Sequence, residues 1–204
     1  MSITEKRPAI KETVGAQYIC FNTASENGEY TENYETNVER TMVVKSVKVT
    51  ENADATDVYA SGAVYDSDSS ITTIDIEVEV IAFPDDTLAR MRGDNVDEGG
   101  LIRSGGSPEK PFFAYGKVVK LKGGKIRYDW YPKCKLAENS EQADTKEDKF
   151  SEQTDTIKIT AYPYSSEGYI VAKVSSEANA PAGLTEDKFF SKPVLTPDDL
   201  SELL

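Results

Sequence analysis

The clearest pattern in the chain lies between residues 71 and 101. Ile74, Ile76, Val78 and Val80 alternate with Asp75, Glu77 and Glu79. A period of two predicts a strand with one apolar face and one acidic face. Phe83, Pro84, Asp85 and Asp86 follow, then Thr87-Leu88-Ala89-Arg90-Met91-Arg92-Gly93. This segment predicts a short helix. Asp85 is the candidate N-cap, and Asp85 and Asp86 place negative charge at the positive end of the helix dipole. Arg90 and Arg92 sit near the other end, and Gly93 can take the left-handed conformation that stops a helix.

The same reading extends along the chain. Residues 16–22 and 41–49 predict strands, the second with Val43, Val47 and Val49 set apart by Lys45 and Lys48. Residues 111–136 predict two strands joined at Gly123-Gly124, a strong hairpin signal. Residues 156–162 alternate Ile157, Ile159 and Ala161 with Lys158 and Thr160, and residues 168–174 add a further strand. A short helix is expected over Thr185 to Phe190. Another starts at Thr196-Pro197-Asp198-Asp199-Leu200, with proline at its first position. Between these elements, residues 23–39, 51–70 and 94–110 are polar and read as loops. The loop at 51–70 is rich in Asp, Ser, Ala and Thr around Val58-Tyr59 and Val64-Tyr65, and a loop of that length in a compact domain is usually functional or disordered. Many short strands with one clear helix predict a mainly β fold: an antiparallel β-sandwich or barrel-like domain of two packed sheets with a flanking short helix. Its expected extent is 15–175, with a flexible N-terminal arm at 1–14 and a C-terminal arm with a short helical segment at 176–204. No internal repeat is visible.

Composition narrows the chemistry. Lys and Arg total 23 against 36 Asp and Glu, a net charge of −13 in 204 residues. A chain this acidic is poorly suited to gripping nucleic acid through phosphate neutralisation, though acid also simply keeps a protein soluble. There is no histidine, which removes the commonest general base and metal ligand and every Ser-His or Cys-His nucleophile. Cys20 and Cys134 are too few and too far apart for a zinc site or a redox pair, so free thiols are expected, with a single disulfide left open. No catalytic, cofactor-binding or metal site is predicted. The N-terminus has no apolar leader-like core and no run approaches membrane-spanning length, so a soluble protein made in a cytoplasm, without a membrane partner, is expected.

One ordered series of segments carries a resemblance. It comprises Asp57-Val58-Tyr59-Ala60-Ser61, the run from Ile74 to Asp86, Gly93, and Gly100-Leu101-Ile102. It continues with Lys110-Pro111-Phe112-Phe113-Ala114-Tyr115, a hairpin ending in Tyr131 and Cys134, Thr145-Lys146-Glu147-Asp148, and Gln153 to Ala161. In this order, over about residues 15–165, the chain resembles the major tail protein (tail tube protein) family of long-tailed, non-contractile bacteriophages of Gram-positive bacteria. The resemblance implies two packed β-sheets flanked by a helix. It implies hexameric rings that stack into a hollow tube around a tape-measure protein, through which the genome leaves. The implied partners are further copies of the chain, the tape-measure protein, the tail terminator and the distal tail proteins. DNA passes without specific binding. The implied location is the virion tail, after assembly in the host cytoplasm.

Three sets of residues then become candidate sites. Asp75, Glu77 and Glu79 could line an acidic bore that repels phosphate, or form the solvated outer face of a sandwich with cross-strand lysines such as Lys158 opposite them. Lys117, Lys120, Lys122, Lys125 and Arg127 make a basic hairpin, followed by an acidic stretch at 137–155. The two patches could meet between subunits, head to tail, or within one subunit. The loops at 23–40 and 51–70, the second holding Asp57, Val58, Tyr59, Val64 and Tyr65, are candidates for ring stacking, or ordinary mobile loops. Trp130 beside Tyr128 and Tyr131 could offer a sugar platform or simply be core, and Asp85-Asp86 fit a helix cap better than a catalytic pair. The expected function is a structural tail-tube subunit without catalysis. The alternative is a non-catalytic β-sandwich binding module, as a virion decoration or a carbohydrate or protein binder, and a carboxylate-dependent hydrolase is the weakest reading.

Overall fold

The alternation at 74–80 lies at the heart of one eight-stranded antiparallel sheet. The computed structural model describes residues 3, 5–24, 28–60, 63–106, 109–143, 145, 153–178 and 180–204, with backbone alone for 54–60 and 63–69. The strands are β1 (Lys11–Phe21), β2 (Glu39–Thr41), β3 (Val44–Ala60), β4 (Ala63–Val80), β5 (Asn95–Val96), β6 (Ile102–Arg103), β7 (Phe113–Leu121), β8 (Lys125–Ser140), β9 (Asp155–Ala161) and β10 (Ala172–Ser175). The helices are α1 (Asp85–Arg92), α2 (Glu186–Phe189) and α3 (Pro197–Glu202). The sheet runs β2-β1-β7-β8-β9-β4-β3, with β10 beside β8, and β5-β6 form a separate small ladder.

The expected mainly β, antiparallel architecture is present, but its two layers come from a single sheet folded over. Strand β8 makes the fold. Its first part, Lys125 to Cys134, pairs with β7, and its last part, Cys134 to Ser140, pairs with β9. Pro132 sits at the change-over, where a missing N–H can be tolerated, and the β7 register slips between Phe113 and Tyr115. Such bends are how one strand serves two layers. Between the layers lie Ile19 and Phe21 of β1, Phe113 and Tyr115 of β7, Tyr131 and Leu136 of β8, Ile76 and Val78 of β4, and Ile157 and Ile159 of β9. Helix α1 seals this core with Met91, and Leu88 packs against it. Gly93 takes the predicted left-handed cap (φ 73°), while the N-cap is Pro84 rather than Asp85. Asp85 is already helical, so it and Asp86 act on the dipole from the first turn without a side-chain cap.

The half-sheet β1-β7-β8 is apolar on its other face too. Tyr18, Cys20, Val118, Tyr128 and Trp130 lie there, under Phe189, Phe190 and Val194. The segment expected as a C-terminal arm is therefore docked. Thr185 caps α2, and Thr196 and Asp199 form a reciprocal capping box on α3. Phe190 stacks on Tyr18 with ring centroids 3.9 Å apart, and Trp130 donates its indole N–H to the Phe189 carbonyl at 3.1 Å. Trp130 is fully buried, so the core reading holds and the sugar platform does not. Tyr18 donates to Glu186 at 2.6 Å and accepts from Arg40 at 3.0 Å.

Three further expectations change. Strand β1 starts at Lys11, inside the expected arm. The strand expected at 168–174 is the shorter β10. The expected loop at 51–70 is the outer half of the β3–β4 hairpin, with pairing from Val44↔Val80 to Ala60↔Ala63. Both cysteines are free and buried, and burial pushes the Cys20 thiol up to about 12.

Gly116 explains how the C-terminal segment sits so close. A Cβ there would lie 2.7 Å from Phe190 and 3.0 Å from Trp130, both rigid rings. We expect Gly116→Ala to destabilise the fold by about 1–3 kcal/mol, as overpacking does. Urea unfolding would measure this, and limited proteolysis should show earlier cleavage in residues 180–204.

Candidate functional site

Three surfaces hold the candidate residues. The first is the outer face of β4. Asp75, Glu77 and Glu79 lie opposite the buried Ile74, Ile76, Val78 and Val80, as the alternation requires. Their neighbours are not all acidic. Glu77 stands between Lys48 of β3 and Lys158 of β9, and Lys158 itself stands beside Glu138 of β8. Across four strands the row therefore reads Glu138, Lys158, Glu77, Lys48. Lys158 donates to Glu138 at 2.7 Å, which raises its pKa. Asp75 accepts from Asn52 at 2.8 Å and from Thr160 at 3.0 Å, and Glu79 accepts from Ser46 at 3.1 Å and Thr154 at 3.2 Å. This face is a mixed, hydrogen-bonded surface with an acidic centre line.

The second surface is the basic β7–β8 hairpin, turned at Gly123 and Gly124, both in the left-handed region (φ 84° and 73°). Its residues separate. Lys120, Lys122 and Lys125 are exposed, and Lys125 pairs with Glu177 at 3.2 Å. Lys117 differs from these three: it is only 4 % exposed and does not belong to the hairpin's exposed basic surface. It points into the fold because β7 alternates, so Lys117 shares the inner face with Tyr115 and Val119. Its ammonium lies 3.3 Å from Asp129 and donates to the Tyr131 hydroxyl at 3.2 Å. Desolvation nonetheless pulls its pKa down. Arg127 meets the same carboxylate: Nη2 donates to Oδ2 at 3.1 Å, and Nε lies 3.0 Å from Oδ1, an ion-pair distance without hydrogen-bond alignment. Of the acidic stretch at 137–155, residues 144 and 146–152 lie outside the described residues. Among the described ones, Glu138 is drawn to Lys158 rather than to the hairpin.

Sequence reasoning missed what Lys117 belongs to. Cross-strand pairing aligns Gln17 of β1, Lys117 of β7, Asp129 of β8 and Lys173 of β10. Lys117 and Lys173 of this row, with Arg127, line a cleft of about 590 Å³ between the ends of β1 and β3, with Lys11 and Lys45 at its rim. The signal was present as Asp129 alone among seven basic residues of the hairpin, which marks a buried partner rather than a stray charge.

The third surface is the β3–β4 arm. The β4–β9 ladder ends at Ile74, and beyond it the β4 residues 63–73 pair only with β3 among the described residues. At about 3.3 Å per residue, those eleven positions form an arm roughly 35 Å long. The side chains of Asp57, Val58, Tyr59, Val64 and Tyr65 lie outside the described residues, but their backbones belong to this ladder.

No protein-family model matches the chain, and no curated protein matches it. Among solved structures, a chain in the cryo-EM structure of the anti-feeding prophage (AFP) baseplate, 6-fold symmetrised, is similar at 8 % identity and a TM-score of 0.43. The alignment covers 83 % of this chain and 97 % of that one. At that level the likeness decides nothing about function.

The buried cluster makes an asymmetric prediction. Asp129→Ala strands Lys117 and Arg127 beside Lys173 without their shared carboxylate and should cost about 3–5 kcal/mol. Lys117→Met leaves Asp129 paired with Arg127 and should cost within about 1 kcal/mol. Chemical denaturation of the two variants would check the order.

Proposed function

We propose that the chain is the structural subunit of a bacteriophage tail tube. It forms rings, six subunits to a ring by family resemblance, and the rings stack into the conduit for genome ejection. The observation that carries this reading is the β3–β4 arm. An isolated two-stranded hairpin is marginal in water, so an arm of this length that leaves its own sheet is best explained by a surface on another copy. The ordered resemblance from residues 15 to 165 supports the same reading. So does the absence of histidine, which weakens any catalytic one. In this proposal the subunit is non-catalytic. Its partners are itself, the tape-measure protein, the tail terminator and the distal tail proteins. The outer face of β4 lines the bore, where its acidic centre line keeps passing DNA from adhering.

Replacing residues 54–70 by Asn-Gly joins Ala53 and Ile71, which already face each other across the ladder. The two-residue turn suits that geometry. The variant should keep its circular dichroism spectrum yet form no rings or tubes in negative-stain electron microscopy, while the unaltered chain forms them with rising concentration. Normal tubes from the variant would remove the arm from assembly.

The double change Glu77→Lys and Glu79→Lys places two more cations beside Lys48 and Lys158. Assembly should survive, because both positions lie on a solvated face, and triggered DNA release from particles should slow. Release at the unaltered rate would show that this face is not the bore.

A further inference from the structure

The cleft at the end of the folded sheet has a charge that the subunit does not neutralise. Its floor gathers Lys117, Arg127 and Lys173 around a single carboxylate, Asp129. Asp129 is fully buried and Lys117 nearly so, so this is a built feature and not a drift of surface lysines. Three cations against one anion leave an excess of two. At the rim, Lys11 and Lys45 are matched in number by Glu12 and Glu51. Beside the floor, in the same cross-strand row, the amide nitrogen of Gln17 is buried without a hydrogen-bond partner. A half-enclosed cationic floor in a chain of net charge −13 has the charge and the donors to hold carboxylates.

The same chain carries a matching segment. From Asn52 to Thr72 the sequence holds Asp54, Asp57, Asp66 and Asp68 and neither Lys nor Arg. In the ladder Asp54 pairs with Ser70, Thr56 with Asp68 and Val58 with Asp66, so Asp54, Asp66 and Asp68 occupy register positions of one face. That face belongs to the arm, whose only described strand partner is its own return strand.

We propose that the cleft floored by Lys117, Arg127 and Lys173 is a carboxylate-binding dock that receives the acidic β3–β4 arm of a second copy of this chain. The inference rests on the assembly reading above and names its receiving surface. Arm and cleft are different surfaces, so the contact is heterologous: each copy gives an arm and accepts one, and the assembly propagates or closes into a ring. Opposite charges on the two surfaces speed encounter and fix register.

The test titrates a synthetic peptide of residues 52–72, closed by added terminal cysteines, into the full chain at a dilution where sedimentation shows monomer. Calorimetry should detect saturable binding that weakens as salt rises. Changing Lys11→Glu and Lys173→Glu together, both exposed positions, should weaken binding at least tenfold, as should Asp54, Asp66 and Asp68→Asn in the peptide. A peptide with those three aspartates changed to lysine should bind the reversed chain better than the unaltered one. Absence of binding, or binding indifferent to the cleft changes, overturns the dock. Inorganic phosphate filling the cleft while the peptide stays unbound also overturns it. The two readings separate cleanly. Tubes that form unchanged from the cleft-reversed chain sink the dock and leave the tube. Specific peptide binding by a chain that never forms rings or tubes keeps the dock and sinks the tube.

Discussion

The structure depends on β8 belonging to two layers. A sheet of eight strands cannot stay flat and hide its apolar side, because one face would remain in water over the whole breadth. By turning near Pro132, β8 lets β7 and β1 lie over β9 and β4, so that each half-sheet covers the other. The register is fixed on both sides of the bend. Before it, Tyr115 faces Tyr131 and Lys117 faces Asp129; after it, Leu136 faces Ile159 and Glu138 faces Lys158. A slip by one residue would send the apolar set outward and turn outward-facing charges such as Lys158 and Glu138 inward. The alternating row Glu138, Lys158, Glu77 and Lys48 adds a penalty to the same slip, since each charge would then face an apolar residue instead of its opposite.

Folding the sheet leaves two places unresolved by apolar packing, and the chain treats them differently. The back of β1-β7-β8 is covered by its own C-terminal residues, with Phe189 and Phe190 each contributing about 1.5–3 kcal/mol of burial. The open end between β1 and β3 is filled with charge. An apolar pair of similar volume would stabilise at least as well as Lys117 with Asp129, so stability does not explain the choice. Recognition of an anion at that end does.

Much of this was legible where one face is apolar and the other is not. The pattern at 74–80 and 156–162, the Gly123-Gly124 turn and the Gly93 cap all transfer directly from sequence to structure. The outer arm was not legible, because its run of Asp, Ser, Ala and Thr carries no sustained apolar period of two from which a strand can be read. The docked C-terminus was missed for the opposite reason. Its apolar content is concentrated in Phe189-Phe190, too short a run to announce a period. Lys117 was read by residue type when its position in an alternating strand already placed it inside, next to Tyr115 and Val119.

The features that one subunit leaves unsatisfied are therefore informative about more than one. Within the body, several charges have a nearby answer: Glu186 for Arg40, Glu177 for Lys125, and Asp199 and Glu202 for Lys192. Two features stand apart from these, an acidic arm with no described strand beyond its own hairpin and a cationic floor with one carboxylate among three cations. They have opposite sign and lie in different parts of the molecule. A monomer selected only for solubility would need neither, since isolated hairpins and partly buried excess charge both cost stability. Their coexistence is explained if each completes the other across copies. Contact then stabilises a hairpin that its own two strands leave marginal.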